Sequence, residues 1–202
     1  MTRATAILCS FLIPALAICQ LSKAAPAAKA PQQPKQPAPA KIPPVLLSKQ
    51  DAALCRVRVG DRMPEISLPQ IGGGGETNVS ELYGKKATLV VFWKCDRRMS
   101  LQQLSDLGPE IVQPFGEKGV AVVGIAVKES QDSAQAALKK ASATFRNLLD
   151  ADGEAFAQVG SQRLPRTYLL DASGKIVWFD IEYSLATRRE LHQALRVMAG
   201  GK

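Results

Sequence analysis

Ala87-Thr88-Leu89-Val90-Val91-Phe92-Trp93 is the stretch on which the fold turns. Six of its seven residues are apolar, and polar residues follow at Lys94-Cys95-Asp96. A short, continuous apolar run of this kind reads as a strand covered on both faces of a sheet. A second stretch, Arg163-Leu164-Pro165-Arg166-Thr167-Tyr168-Leu169-Leu170-Asp171-Ala172-Ser173-Gly174-Lys175-Ile176-Val177, reads as a strand, a four-residue turn and a returning strand. The turn residues Asp171-Ala172-Ser173-Gly174 make this an antiparallel hairpin.

The other elements follow outward from these two. Leu101, Leu104, Leu107 and Ile111 line one face of a helix after the first strand, with Asp96 as its expected N-cap. Val120 to Val127 is a second buried strand, Ser130 to Ser142 a helix, and Phe145 to Leu149 a short strand. Asp150-Ala151-Asp152-Gly153 turns into a short helix ending at Gly160. Thr187 and Glu190 have capping-box spacing for a last helix whose inner face is Leu191, Leu195 and Met198. Val57, Val59, Ile66, Leu68 and Ile71 suggest short strands before all of this, with Gly72 to Gly75 as a hairpin tip. Strands alternating with helices, then a hairpin and a helix, predict an α/β fold: a mixed central sheet flanked by helices, with an N-terminal β-hairpin extension.

The order and spacing of three signals resemble the thioredoxin-like superfamily, both its extracytoplasmic thiol–disulfide oxidoreductases and its alkyl hydroperoxide reductase/thiol-specific antioxidant (redoxin) branch. The signals are Phe92-Trp93 at a strand end, Leu164-Pro165-Arg166-Thr167, and the Asp171-to-Lys175 hairpin turn. The resemblance covers roughly Arg58 to Ala199 and implies a thioredoxin-like fold. In the oxidoreductases a C-x-x-C motif follows Phe-Trp after three residues. Ungapped, that slot falls on Arg97-Arg98-Met99-Ser100, which keeps Leu104 and Leu107 on the family's apolar helix positions. The resemblance also implies that Pro165 is the cis-proline facing the active-site turn, and that Leu164 offers backbone groups to an extended substrate. On this basis Trp93, Leu164, Pro165 and Arg166 form the expected substrate or partner face, with Arg97, Arg98 and Arg166 gathered beside it.

Disulfide exchange needs one thiolate to attack and a second thiol to resolve. The slot supplies neither, because Arg97 stands for the nucleophile and Ser100 for the resolver. Val91 occupies the position where relatives often carry a buried acid. The nearby thiol is Cys95, two residues before the slot, and it has two readings. One is a small apolar residue in a turn. The other is a single catalytic thiol activated by Lys94, Arg97, Arg98 and a helix start, with Cys55 or an external thiol as resolver. Cys55 is open to three states: buried and unpaired, exposed and reactive, or bridged to Cys95. His192, the one histidine, reads as a surface or packing residue. Neither the glycine run nor Asp150, Asp152 and Glu154 has the pattern of a phosphate loop or a calcium loop. No cofactor and no metal is expected.

The chain has 202 residues with a formal net charge of +8. Six basic residues and no acid precede Gln50, so most of that excess lies outside the domain and argues against a nucleic-acid face. Residues 1–25 resemble a cleavable export signal: Arg3, an apolar stretch to Leu21, and Ser22-Lys23-Ala24 as a small-x-small site. Residues 26–50 are a Pro/Ala/Lys-rich spacer, and residues 51–202 are the domain. Cys9 and Cys19 leave with the signal, and membrane attachment arises only if it stays uncleaved or is lipidated. These features point to a periplasmic or extracellular protein. It is expected to be a non-catalytic binding or envelope-associated module with a protein or peptide partner of acidic character. The alternative is a single-cysteine oxidoreductase or peroxidase built on Cys95.

Overall fold

The computed structural model describes residues 41–200, so the export-signal reading, Cys9, Cys19 and most of the spacer lie outside the described residues. At the centre is β3 (Ala87–Trp93), every residue of which is buried. It runs parallel to β4 (Val120–Val127) and antiparallel to β6 (Arg166–Asp171). β5 (Arg146–Asp150) extends the sheet beyond β4, and β7 (Ile176–Asp180) extends it beyond β6. The order is therefore β5-β4-β3-β6-β7, a mixed five-stranded sheet.

Because side chains alternate across a strand, β3 feeds two cores. Leu89 and Val91 pack with Leu107, Ile111, Trp178, Leu191 and Leu195. That face is covered by α2 (Arg98–Leu107), a π-helical turn (Gly108–Val112), α3 (Gln113–Phe115) and α6 (Leu185–Ala199). Val90 and Phe92 face the other way and pack with Val123, Ile125, Tyr168 and Phe156, the last on α5 (Glu154–Val159). Phe92 meets Phe156 at 5.7 Å and Tyr168 edge-on at 6.0 Å, so an aromatic cluster joins α5 to the sheet. Trp93, at the strand end, packs with Leu104 and with Ala134 of α4 (Gln131–Lys140). Its indole Nε1 donates to Asn147 Oδ1 at 3.1 Å inside the core.

The early strands are fewer than the sequence suggests. β1 (Ser67–Pro69) and β2 (Glu76–Asn78) pair as a separate antiparallel hairpin around the glycine run. The segments of Val57 and Val59 make only isolated bridges, Cys55 with Gly160 and Arg62 with Lys175, and Val59 stays half exposed. The folded unit also begins before Asp51. Ile42, Val45 and Leu47 pack on the two cores, leading into the single-turn helix α1 (Lys49–Ala52). These three side chains find apolar partners on the finished domain that their Pro-rich neighbours cannot supply.

Two helix starts also differ. α6 begins at Leu185, so the capping box is Ser184 with Thr187, and Thr187 Oγ1 further donates to Asp180 Oδ2 at 2.7 Å. α2 has Arg97 at its N-cap with no side-chain cap, while Asp96 stays exposed and pairs with Lys94 and Arg97. Asp150 takes a capping role instead: its carboxylate accepts the Ala155 and Phe156 N–H groups at the start of α5. Since Asn147 Oδ1 is the partner of the buried Trp93 indole, Asn147→Ala should lower stability by about 1–3 kcal/mol. Urea unfolding measures this, with an unchanged slope marking a change of stability alone.

Candidate functional site

The turn between β3 and α2 has two sides, and they hold different residues. On one side Lys94 and Arg97 face the loop of Gln162, Arg163 and Leu164 across a groove of about 690 Å³. Arg56, Lys128, Gly153, Phe156 and Ser161 complete much of its wall. On the other side Cys95 and Arg98 lie in a separate groove between α2 and α4, with Leu101, Ala137 and Lys140. Cys95 therefore does not share the groove of Arg97 and Leu164.

The surroundings of Cys95 are acidic and partly buried. Its backbone N–H donates to Glu129 Oε1 at 2.8 Å, and its Sγ lies 3.6 Å from the Ser133 carbonyl oxygen. Burial first, then the Glu129 carboxylate, pushes the thiol up to about 11. The basic neighbours in sequence, Lys94 and Arg97, spend charge on Asp96. The expectation of an activated thiol is thus corrected: the thiolate is disfavoured, because burial and the carboxylate outweigh a helix start. The bridge to Cys55 is also absent, and both cysteines are free. Cys55 Sγ donates to the Asp51 carbonyl and receives Arg166 Nη1 at 3.4 Å, whereas Cys95 packs towards α4.

The slot residues divide by environment. Arg97 is exposed at the N-cap of α2, Met99 is 40% exposed, and Ser100 is buried. Ser100 Oγ accepts the Lys94 N–H at 3.2 Å, so this hydroxyl closes the turn and is not free for chemistry.

The expected arginine cluster does not form. Arg166 is fully buried, and its guanidinium donates to three carbonyl oxygens: Leu54 at 3.0 Å, Ser161 at 2.7 Å and Arg163 at 3.2 Å. It also lies over the Phe156 ring, 5.6 Å from the centroid. Arg97, Arg98 and Arg166 thus occupy one groove, the opposite groove and the interior. Trp93 and Pro165 are buried as well, so of the expected partner face Leu164 alone reaches the groove. The Leu164–Pro165 peptide is cis. The Leu164 N–H and carbonyl make no hydrogen bond among the described residues.

Arg56, Lys128 and Arg163 escaped the sequence reading. They come from three separate loops, and no spacing in the chain links them. Lys128 and Arg163 have left-handed backbone conformations (φ 54° and 32°), as does Gln162 (φ 52°). Such geometry is uncommon for residues other than glycine and carries no sequence signature here. His192 lies outside the groove, 3.4 Å from Glu110 and beside Phe115, which is a packing role. Among the described residues no group of three acidic, histidine or cysteine side chains could hold a metal ion.

This fold, with a cis-proline loop opposite a strand–turn–helix, is that of a thioredoxin-like protein. The chain belongs to the Redoxin family, whose model matches residues 58–195. Its fold is similar to that of a protein described as a protein disulfide isomerase from Bacteroides thetaiotaomicron. That match has a TM-score of 0.65 and 22% identity, and covers 71% of this chain and 91% of the other. It is also similar to a secreted Mycobacterium tuberculosis disulfide oxidoreductase, at TM-score 0.57 and 20% identity, covering 66% of this chain and 96% of that one. Peroxidoxin BcpB from the same organism has a TM-score of 0.57 and 18% identity, covering 69% and 97%. Comparison with curated proteins found no match.

Two outcomes follow from the geometry. Alkylation of Cys95 by iodoacetamide, followed peptide by peptide with mass spectrometry, should be slow at neutral pH and rise towards pH 11. The same shift makes the folded state favour the protonated thiol, so this contribution to stability is full below pH 9.0 and lost as pH approaches 11. Separately, Arg166→Met should cost about 3 kcal/mol, because the part-buried Ser161 and Arg163 carbonyls lose the guanidinium and the Leu54 carbonyl keeps only the Ser161 N–H. Denaturant unfolding checks it.

Proposed function

We propose that this protein is an exported, non-catalytic binding module of the Redoxin family, which engages a protein or peptide through the groove between Arg97 and Leu164. One observation carries the reading. The N-cap of α2, where the family resemblance puts the attacking cysteine, holds Arg97, and the nearby Cys95 is turned into a different groove with a thiol pushed up to about 11. Chemistry at the groove then has no thiolate to begin it. What is left is a recognition surface. Leu164 beside a cis-proline carries an unused N–H and carbonyl, which suits main-chain pairing with an extended segment.

Export is favoured by the signal-like residues 1–25 and the spacer that follows, and by a fold relative described as secreted. Among the described residues no helix is long and apolar enough to cross a membrane. The rival reading, a one-thiol oxidoreductase or peroxidase, asks Cys95 to act as nucleophile and Cys55 or an external thiol to resolve. The high thiol pKa and the separate positions of the two cysteines weigh against it.

Assays of insulin reduction and of peroxide consumption with excess dithiothreitol separate the two. The binding reading expects rates at the uncatalysed background, unchanged by Cys95→Ser. A rate well above background that Cys95→Ser abolishes would overturn it.

A further inference from the structure

The groove beside Leu164 is lined by five cations, Arg56, Lys94, Arg97, Lys128 and Arg163, and by no carboxylate. Three of them are partly matched from outside it: Lys94 and Arg97 share Asp96, and Arg163 Nε lies 3.1 Å from Asp51 Oδ1. Arg56 and Lys128 have no acidic partner within ion-pair distance among the described residues. Between the cations lie the apolar Val127, Phe156, Ala157 and Leu164.

We propose that this groove selects an extended polypeptide segment bearing several carboxylates, with Arg56 and Lys128 as the selecting cations. The inference rests on the binding reading above and specifies its ligand.

Three features favour such a segment over a compact anion. The five cations come from four loops around the rim, and all are exposed or half-buried, which suits separated charges. The buried guanidinium nearby, Arg166, is committed to carbonyl oxygens and Cys55, so it is not offered to a compact anion. An apolar floor inside a charged rim fits a strand whose side chains alternate between apolar and acidic, with the free Leu164 backbone groups as its pairing point. The residues before Gln50 are excluded as the occupant, because they carry six basic residues and no acid.

The backbone holds the charges in place. Of four non-glycine residues with positive φ among the described residues, three line this groove: Lys128, Gln162 and Arg163. The Lys128 stem lies over Gly153, where φ is 83° and an added Cβ would overlap it. The Lys128 N–H is held by the Asp150 carbonyl at 2.8 Å.

The test is a titration of the isotope-labelled full chain, read by backbone amide shifts, with three peptides of about ten residues. All share alternate valines; the remaining positions are Glu, Gln or Lys. The Glu peptide should move the amides of Lys128 and Gln162 to Leu164, and bind roughly tenfold tighter than the Gln peptide. Its affinity should fall several-fold between about 50 and 500 mM salt. Arg56→Glu with Lys128→Glu should remove most of the preference. Lys128→Gly, which suits the left-handed backbone, should weaken the Glu peptide without lowering the melting temperature. Equal affinity for Glu and Gln peptides at the same amides would overturn the carboxylate selection and leave the peptide-binding reading intact. Inorganic phosphate that displaces the Glu peptide at equal ionic strength would overturn it in favour of a compact anion. If no peptide moves these amides, both readings fall.

Discussion

The buried guanidinium of Arg166 is the contact on which the site depends. An arginine inside a protein normally faces a carboxylate, because desolvating the charge alone is costly. Here backbone carbonyls do that work: Leu54 before the early bridge, Ser161 after α5, and Arg163 on the cis-proline loop. One side chain thus ties three loops together without drawing an acid into the groove. Gly160 completes the arrangement, since an added Cβ would overlap the guanidinium. The groove keeps its positive rim partly because its central buried charge is compensated by dipoles.

The same economy of charge explains the fate of the sulfurs. At the N-cap of α2 the chain presents Arg97, and Cys95, two residues earlier, sits against Glu129. A carboxylate beside a partly buried thiol favours the protonated form, and a cationic rim on the other side of the turn cannot reverse that. The two grooves flanking one turn differ: one is lined by five cations and no thiol, the other by Cys95 with Asp96, Arg98 and Lys140, its thiol held protonated by burial first and by Glu129 second. The thioredoxin-like fold alone does not set the chemistry at this turn.

Much of the architecture was legible because burial and periodicity agree. The apolar run of β3, the β6–β7 hairpin and the spaced leucines of α2 each satisfy a rule that depends only on near neighbours. Helix starts were less legible. Asp96 and Thr187–Glu190 were chemically sound caps, yet Arg97 and Ser184 hold those positions because packing set where the backbone turns. Ile42, Val45 and Leu47 looked like part of a spacer, since their partners lie far along the chain.

By itself the sequence determined the thioredoxin-like class, the central strand and the residue types at the turn after it, because each is a matter of residue type at short spacing. Only the tertiary structure decided which arginine faces the groove, which is buried, and on which side of the turn Cys95 lies. Those outcomes depend on loops that meet through space, where carbonyl dipoles, a carboxylate and left-handed backbone positions set the direction of each charge.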